Sequence, residues 1–87
     1  MIKALIVHHE TNSLQALAAL LREFVPEVTV VGMAGTLAEG LEMTRNLNSD
    51  VLFLDVELDG ESGFDLAEQL PDDGPELVFT TGYEQYA

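Results

Sequence analysis

The 87-residue chain sets three Lys plus Arg against sixteen Asp plus Glu, a formal net charge of −13, and has no cysteine. Its length confines it to one small domain, the missing cysteines exclude a disulfide framework and thiolate chemistry, and the acidic balance repels phosphate backbones, which excludes direct nucleic-acid binding by this piece. No apolar run approaches the roughly 18 residues of a membrane span, and the apolar N-terminus is short and lacks a small-residue cleavage site, so the composition predicts a soluble, cytoplasmic protein.

Residues Ile2 to Val7 are apolar and β-branched enough for a first strand, which runs into His8-His9-Glu10. Thr11, Asn12 and Ser13 then offer helix caps, with Gln15 three residues after Asn12 as the reciprocal partner of a capping box. Leu14, Leu17, Leu20, Leu21 and Phe24 recur at helical spacing, which predicts an amphipathic helix that stops at Val25-Pro26. Val28 to Val31 reads as a second strand and Gly32-Met33-Ala34-Gly35 as a turn. Thr36-x-x-Glu39 is a full capping pattern and opens a second helix, with Leu37, Leu41, Met43 or Thr44, and Leu47 available to a core. Gly40 inside it costs about 1 kcal/mol relative to alanine, so either a close contact needs it or the helix is weak.

The stretch from Asp50 to Gly63 organises the rest. Val51 to Leu54 is a continuous apolar run, as expected of a strand buried on both faces, and it stops at Asp55 in an acidic, glycine-containing loop. From the residues alone, Asp55 reads either as a turn acid or as a site residue at the carboxyl end of a central strand. Ser62 to Asp65 repeats a capping pattern and Phe64, Leu66, Ala67 and Leu70 give a short third helix ended by Pro71. Glu76 to Thr81 is a fourth strand, followed by Gly82-Tyr83.

The alternation β-α-β-α-β-α-β predicts an α/β fold with a parallel sheet and helices on both faces. His8, His9, Asp55, Thr81 and Gly82 would then lie along one sheet edge, at the crevice where strand order reverses.

In order and spacing, Ala-Leu-Ile-Val near the start, Asp-Val-Leu-Phe-Leu-Asp with Gly-x-x-Gly-Phe, and Val-Phe-Thr-Thr-Gly-Tyr-Glu-Gln-Tyr-Ala resemble the receiver domain of two-component response regulators, of the LytR/AlgR type. The resemblance covers residues 1–87 and implies the flavodoxin-like three-layer fold with strand order 2-1-3-4, without the family's final helix-strand-helix. It also implies a signalling module rather than an enzyme. Asp55 falls at the phosphoacceptor position served by a sensor histidine kinase. Thr81 matches the hydroxyl that contacts the phosphoryl group, and Gly82 the small residue beside it. Glu57 falls where the family offers a backbone carbonyl to Mg²⁺, the implied cofactor. An output domain or partner protein beyond this chain would receive the signal.

Three departures accompany the match. His8 and His9 stand where the family carries two Mg²⁺-binding acids, and Asp59 where it often has proline. The third is the family's lysine and aromatic switch residue, which fall beyond Ala87. Glu10 could replace the missing acids as a Mg²⁺ ligand or sit in the first turn of the helix, where an anion is favoured, and because imidazoles favour transition metals, His8, His9 and Asp55 form an alternative metal set. As loop residues beside an acidic pocket they would instead confer pH sensitivity between about 5 and 8, and a protonated histidine would mimic the missing cation. A phosphorylation-independent pseudo-receiver that acts in dimerisation or protein interaction is the alternative function. Without its last elements the chain is expected to pair as a homodimer through the exposed fourth strand.

Overall fold

The computed structural model describes residues 1–58 and 60–80. Its elements are β1 (Ile2–Val7), α1 (Thr11–Phe24), β2 (Val28–Ala34), α2 (Leu37–Asn46), β3 (Val51–Asp55), β4 (Glu57–Leu58), β5 (Glu61–Ser62), α3 (Gly63–Glu68) and β6 (Glu76–Thr80). The main sheet has the order β2-β1-β3-β6 and all of its pairings are parallel. Because β6 is the fourth long strand, this is the expected order 2-1-3-4 of the flavodoxin-like fold. The order reverses between β1 and β3, and the carboxyl ends of those two strands define the crevice.

Alternation along the strands divides the apolar residues between the faces. Leu5, Val7, Leu52 and Leu54 pack with Ala34, Leu58 and Leu66 beneath α2 and α3, whereas Ile6 packs with Leu14, Ala18 and Leu21 of α1. Both central strands are therefore covered on two sides, which explains why the third strand reads as an unbroken apolar run. Gly40 of α2 is a contact glycine, since a Cβ there would stand 2.9 Å from Val7 Cγ2 and 3.0 Å from Leu66 Cδ1.

Several local expectations are corrected. Residues 56–62 are not simply a loop, because Glu57–Leu58 and Glu61–Ser62 pair antiparallel as a small hairpin. The second strand continues through Gly32 to Ala34, where parallel bonding to β1 outweighs the turn propensity of its glycine; the register shifts between Ala4 and Leu5 to allow it. Helix α1 already begins at Thr11, two residues ahead of a start capped by Asn12: Glu10 is its N-cap, with no side-chain cap, so neither the Asn12 box nor a first-turn Glu10 forms. Leu20 and Phe24 are exposed, at 53% and 70%, because the buried stripe of α1 is Leu14, Ala18 and Leu21. The other two caps form as expected, Thr36 Oγ1 accepting from the Glu39 N–H and Ser62 Oγ from the Phe64 N–H, both at 3.2 Å.

Candidate functional site

Strand β1 ends by directing two consecutive histidines over the end of β3. The His8 N–H donates to the Ala34 carbonyl at 3.0 Å, which continues the sheet one residue further and buries the His8 side chain. His8 is thus no open loop residue, being only 5% exposed. His9 lies outside it with a third of its side chain exposed, and the two rings stack with centroids 5.3 Å apart and planes inclined by 14°.

Asp55 terminates β3 and is 1% exposed. Burying a carboxylate is costly unless its oxygens are paired. One oxygen, Oδ1, accepts from the Glu57 N–H at 3.1 Å. The other, Oδ2, lies 2.7 Å from His9 Nδ1 and 3.3 Å from His8 Nδ1. An ionised carboxylate can only accept, so His9 Nδ1 carries the donated proton. His8 Nδ1 instead accepts from the Glu10 N–H at 3.2 Å.

The His9 pKa is raised, above all by the hydrogen bond to Asp55. Burial opposes the rise, while the charges of Asp55 and Glu10 and a hydrogen bond to the Glu57 backbone carbonyl reinforce it. Glu10 contributes from a distance, its Oε1 standing 3.7 Å from His9 Nε2, too far for a hydrogen bond.

The remaining framework is made of backbone contacts. Val56 N–H donates to the Thr80 carbonyl at 2.9 Å and Gly63 N–H to the Val56 carbonyl at 2.8 Å, which ties the loop after β3 to both β6 and α3. A side chain at Gly63 would overlap the Asp55 carbonyl oxygen. The sequence motif contains Gly63 but signals neither this role nor the Glu57 N–H on Asp55, because neither a glycine nor a backbone donor carries a mark of its partner in one sequence. His8, His9 and Asp55 are brought together, and Glu57 lies beside them. Thr81, Gly82 and Asp59 are outside the described residues. A cleft of about 600 Å³ lies at the opposite end of the sheet, lined by Leu47, Ser49, Asp50, Pro71 and Glu76 among others, and takes no part in this site.

A buried aspartate at the carboxyl end of the central β3, with a hydrogen-bonded loop behind it, matches the architecture expected from the sequence. A family model described as the response regulator receiver domain matches residues 4–87. The chain belongs to that family.

Relatives of this receiver include the sensory transduction protein LytT of Enterococcus faecalis, 45% identical over 95% of the chain and 35% of the LytT length. A response regulatory protein of Vibrio cholerae is 40% identical over 100% of the chain and 37% of its own length. These relatives support the LytR/AlgR-like assignment, and the receiver spans a little over a third of their length. The response regulator domain of Thermotoga maritima CheB, in its crystal structure, superposes with a TM-score of 0.83 at 22% identity, covering 93% of this chain and 60% of that one. At that identity the likeness shows the fold alone. No helix among the described residues is long and apolar enough to cross a membrane.

Proposed function

We propose that the protein is a signalling receiver that accepts a phosphoryl group on Asp55 from a sensor histidine kinase and passes the resulting change to an output domain or partner protein, in the cytoplasm and without enzymatic turnover of its own. The observation that carries this reading is the buried Asp55 carboxylate at the end of β3, held on one oxygen by the Glu57 N–H and facing the crevice between β1 and β3. A carboxylate oxygen attacks phosphorus, the P–N bond of the kinase phosphohistidine breaks, and the imidazole leaves with its electron pair and takes a proton. By resemblance, Thr81 supplies a hydroxyl to the phosphoryl oxygens and Gly82 leaves room for them.

Mg²⁺ is the cation that the family implies. Its preference is for carboxylate, carbonyl and water oxygens in octahedral geometry, whereas this site brings two imidazole nitrogens and one carboxylate oxygen within 4.8 Å of one another. The donor set does not fit Mg²⁺, although the Glu57 carbonyl stands in the expected neighbourhood, and no step here is routed through that ion. A protonated His9 supplies positive charge beside Asp55, but it must give up its 2.7 Å hydrogen bond before Oδ2 can take part in transfer.

That short bond favours a second reading, a pseudo-receiver that keeps the scaffold and works through protein interaction without phosphate. Pairing of the isolated chain as a homodimer through β6 belongs to this reading. β6 is the outer strand of the sheet in the described residues, and its Val78 and Phe79 are 42% and 40% exposed. Phos-tag electrophoresis after treatment with acetyl phosphate separates the two. A shifted band in the wild type that is lost in Asp55→Asn supports the phosphoacceptor; identical unshifted bands support the pseudo-receiver.

A further inference from the structure

We infer that His8, His9 and Asp55 form a binding site for a borderline divalent transition-metal ion of the Zn²⁺ class, in place of the Mg²⁺ site of the family. The donor atoms of the three residues all lie within 4.8 Å of one another, and Asp55 Oδ2 is 2.7 Å from His9 Nδ1 and 3.3 Å from His8 Nδ1. Two ligand atoms bound at about 2.0 to 2.1 Å to one tetrahedral ion are roughly 3.4 Å apart, so small rotations of the rings bring the set to coordination distance. Two imidazoles and one carboxylate are the ligand chemistry of Zn²⁺ and its neighbours, and not that of a hard cation.

The hydrogen bonding around His8 supports an ion here. Its Nδ1 accepts from the Glu10 N–H at 3.2 Å and so presents a lone pair, yet it lies 3.3 Å from the Asp55 carboxylate oxygen, which is also an acceptor. Two acceptors face one another in a buried place with no proton between them, an arrangement that a cation relieves. Capture of an ion exchanges the long Glu10 bond for coordination and displaces the proton of His9 Nδ1.

The set is also held in place. His8 is fixed by its backbone bond to Ala34 and by burial, and Asp55 by the Glu57 N–H on its other oxygen. His9, with a third of its side chain exposed, gives the ion a path in and leaves a position open to water or a phosphoryl oxygen. The formal charge of −13 attracts cations to the whole surface, and the two imidazoles select among them. The inference rests on the unmodified donor set and its hydrogen bonding, and it stands whether or not Asp55 serves as a phosphoacceptor.

Competition of the wild-type chain against a chromogenic Zn²⁺ chelator, with and without excess Mg²⁺, tests it. One equivalent of Zn²⁺ is expected to bind without displacement by Mg²⁺, and His9→Ala is expected to weaken it by at least about tenfold, since loss of a ligand should cost no less than loss of a group behind one. Equal affinity in wild type and His9→Ala, or ready displacement by Mg²⁺, overturns the site. Circular dichroism establishes that the variant is folded. Should it not fold, Cu²⁺ electron paramagnetic resonance on the wild type decides: nitrogen superhyperfine structure from two imidazoles supports the site, and an oxygen-only spectrum overturns it.

Discussion

Gly63 and Asp55 are packed so that the space a side chain at position 63 would fill is taken by the Asp55 carbonyl oxygen. The first residue of α3 is thereby pressed against the end of β3, and its N–H reaches the Val56 carbonyl at 2.8 Å. Backbone cannot yield as a flexible side chain would. Gly63→Ala is expected to destabilise the fold by about 3 kcal/mol, the upper end of overpacking costs, and to move Asp55 away from its Glu57 donor. Urea denaturation measures the first effect. Gly35→Ala is the control, since a Cβ there meets only the His8 carbonyl at 3.9 Å and should change stability by less than about 1 kcal/mol.

Gly40→Ala sets helix propensity against packing. Alanine favours the helix by about 1 kcal/mol. The added methyl would press on Val7 and Leu66, both within 1% of full burial, at 2.9 and 3.0 Å. Side chains can shift, so the overpacking cost of about 1 to 3 kcal/mol is partly relieved, and a net loss of about 1 kcal/mol is expected. A stabilised variant in thermal or urea unfolding would show that α2 stands further from β1 than the contacts indicate.

The His9 to Asp55 bond links stability to pH. The folded pKa of His9 is raised above the 6.5 of an unperturbed histidine, first by the hydrogen bond to Asp55. Its contribution is therefore fully present below the unfolded pKa of about 6.5 and is lost as pH rises through the folded value. With a chelator present, wild type should lose stability across that window while His9→Ala stays flat in comparison. The effect is expected to be small because a third of the His9 side chain meets solvent. Asp55→Asn should bring the His9 pKa, followed by NMR, back toward its ordinary value.

Much of the fold is legible because it rests on local pattern. The unbroken Val51 to Leu54 run reflects burial on both faces, and Thr36 and Ser62 are caps that act within a few residues of themselves. The beginning of α1 is ambiguous in the sequence because Thr11, Asn12 and Ser13 are all competent caps, and in the structure the N-cap is Glu10, two residues after His8, whose N–H bonds the Ala34 carbonyl. Leu20 and Phe24 fit the helical period but lie off the stripe that meets Ile6, which only the placement of α1 on the sheet decides. At the site, strand-end positions brought His8, His9 and Asp55 to one edge from sequence order alone. The pairing of His9 with Asp55 Oδ2, and the lone pair of His8 turned to Glu10, depend on side-chain orientations within an ångström or two, which spacing does not encode.

The chemistry of the site should therefore be convertible at His9. Replacing the exposed imidazole with a carboxylate, His9→Asp, removes the proton donor that occupies Asp55 Oδ2 and places a hard oxygen ligand opposite it. His8 is the poorer choice, because an acid at its 5% exposed position would be buried beside Asp55 with nothing to offset the repulsion. In His9→Asp, two carboxylates facing the crevice should draw Mg²⁺, with a loss of Zn²⁺ affinity of at least about tenfold. If Asp55 is the phosphoacceptor, its labelling by acetyl phosphate should become Mg²⁺-dependent and faster by about tenfold or more, as expected when a metal ion neutralises charge on the transferred group. The double variant His9→Asp with Asp55→Asn should not be labelled at all. Phos-tag electrophoresis over a Mg²⁺ titration reads these outcomes, and a His9→Asp protein that remains indifferent to Mg²⁺ would show that His9 is not what sets the cation preference of the crevice.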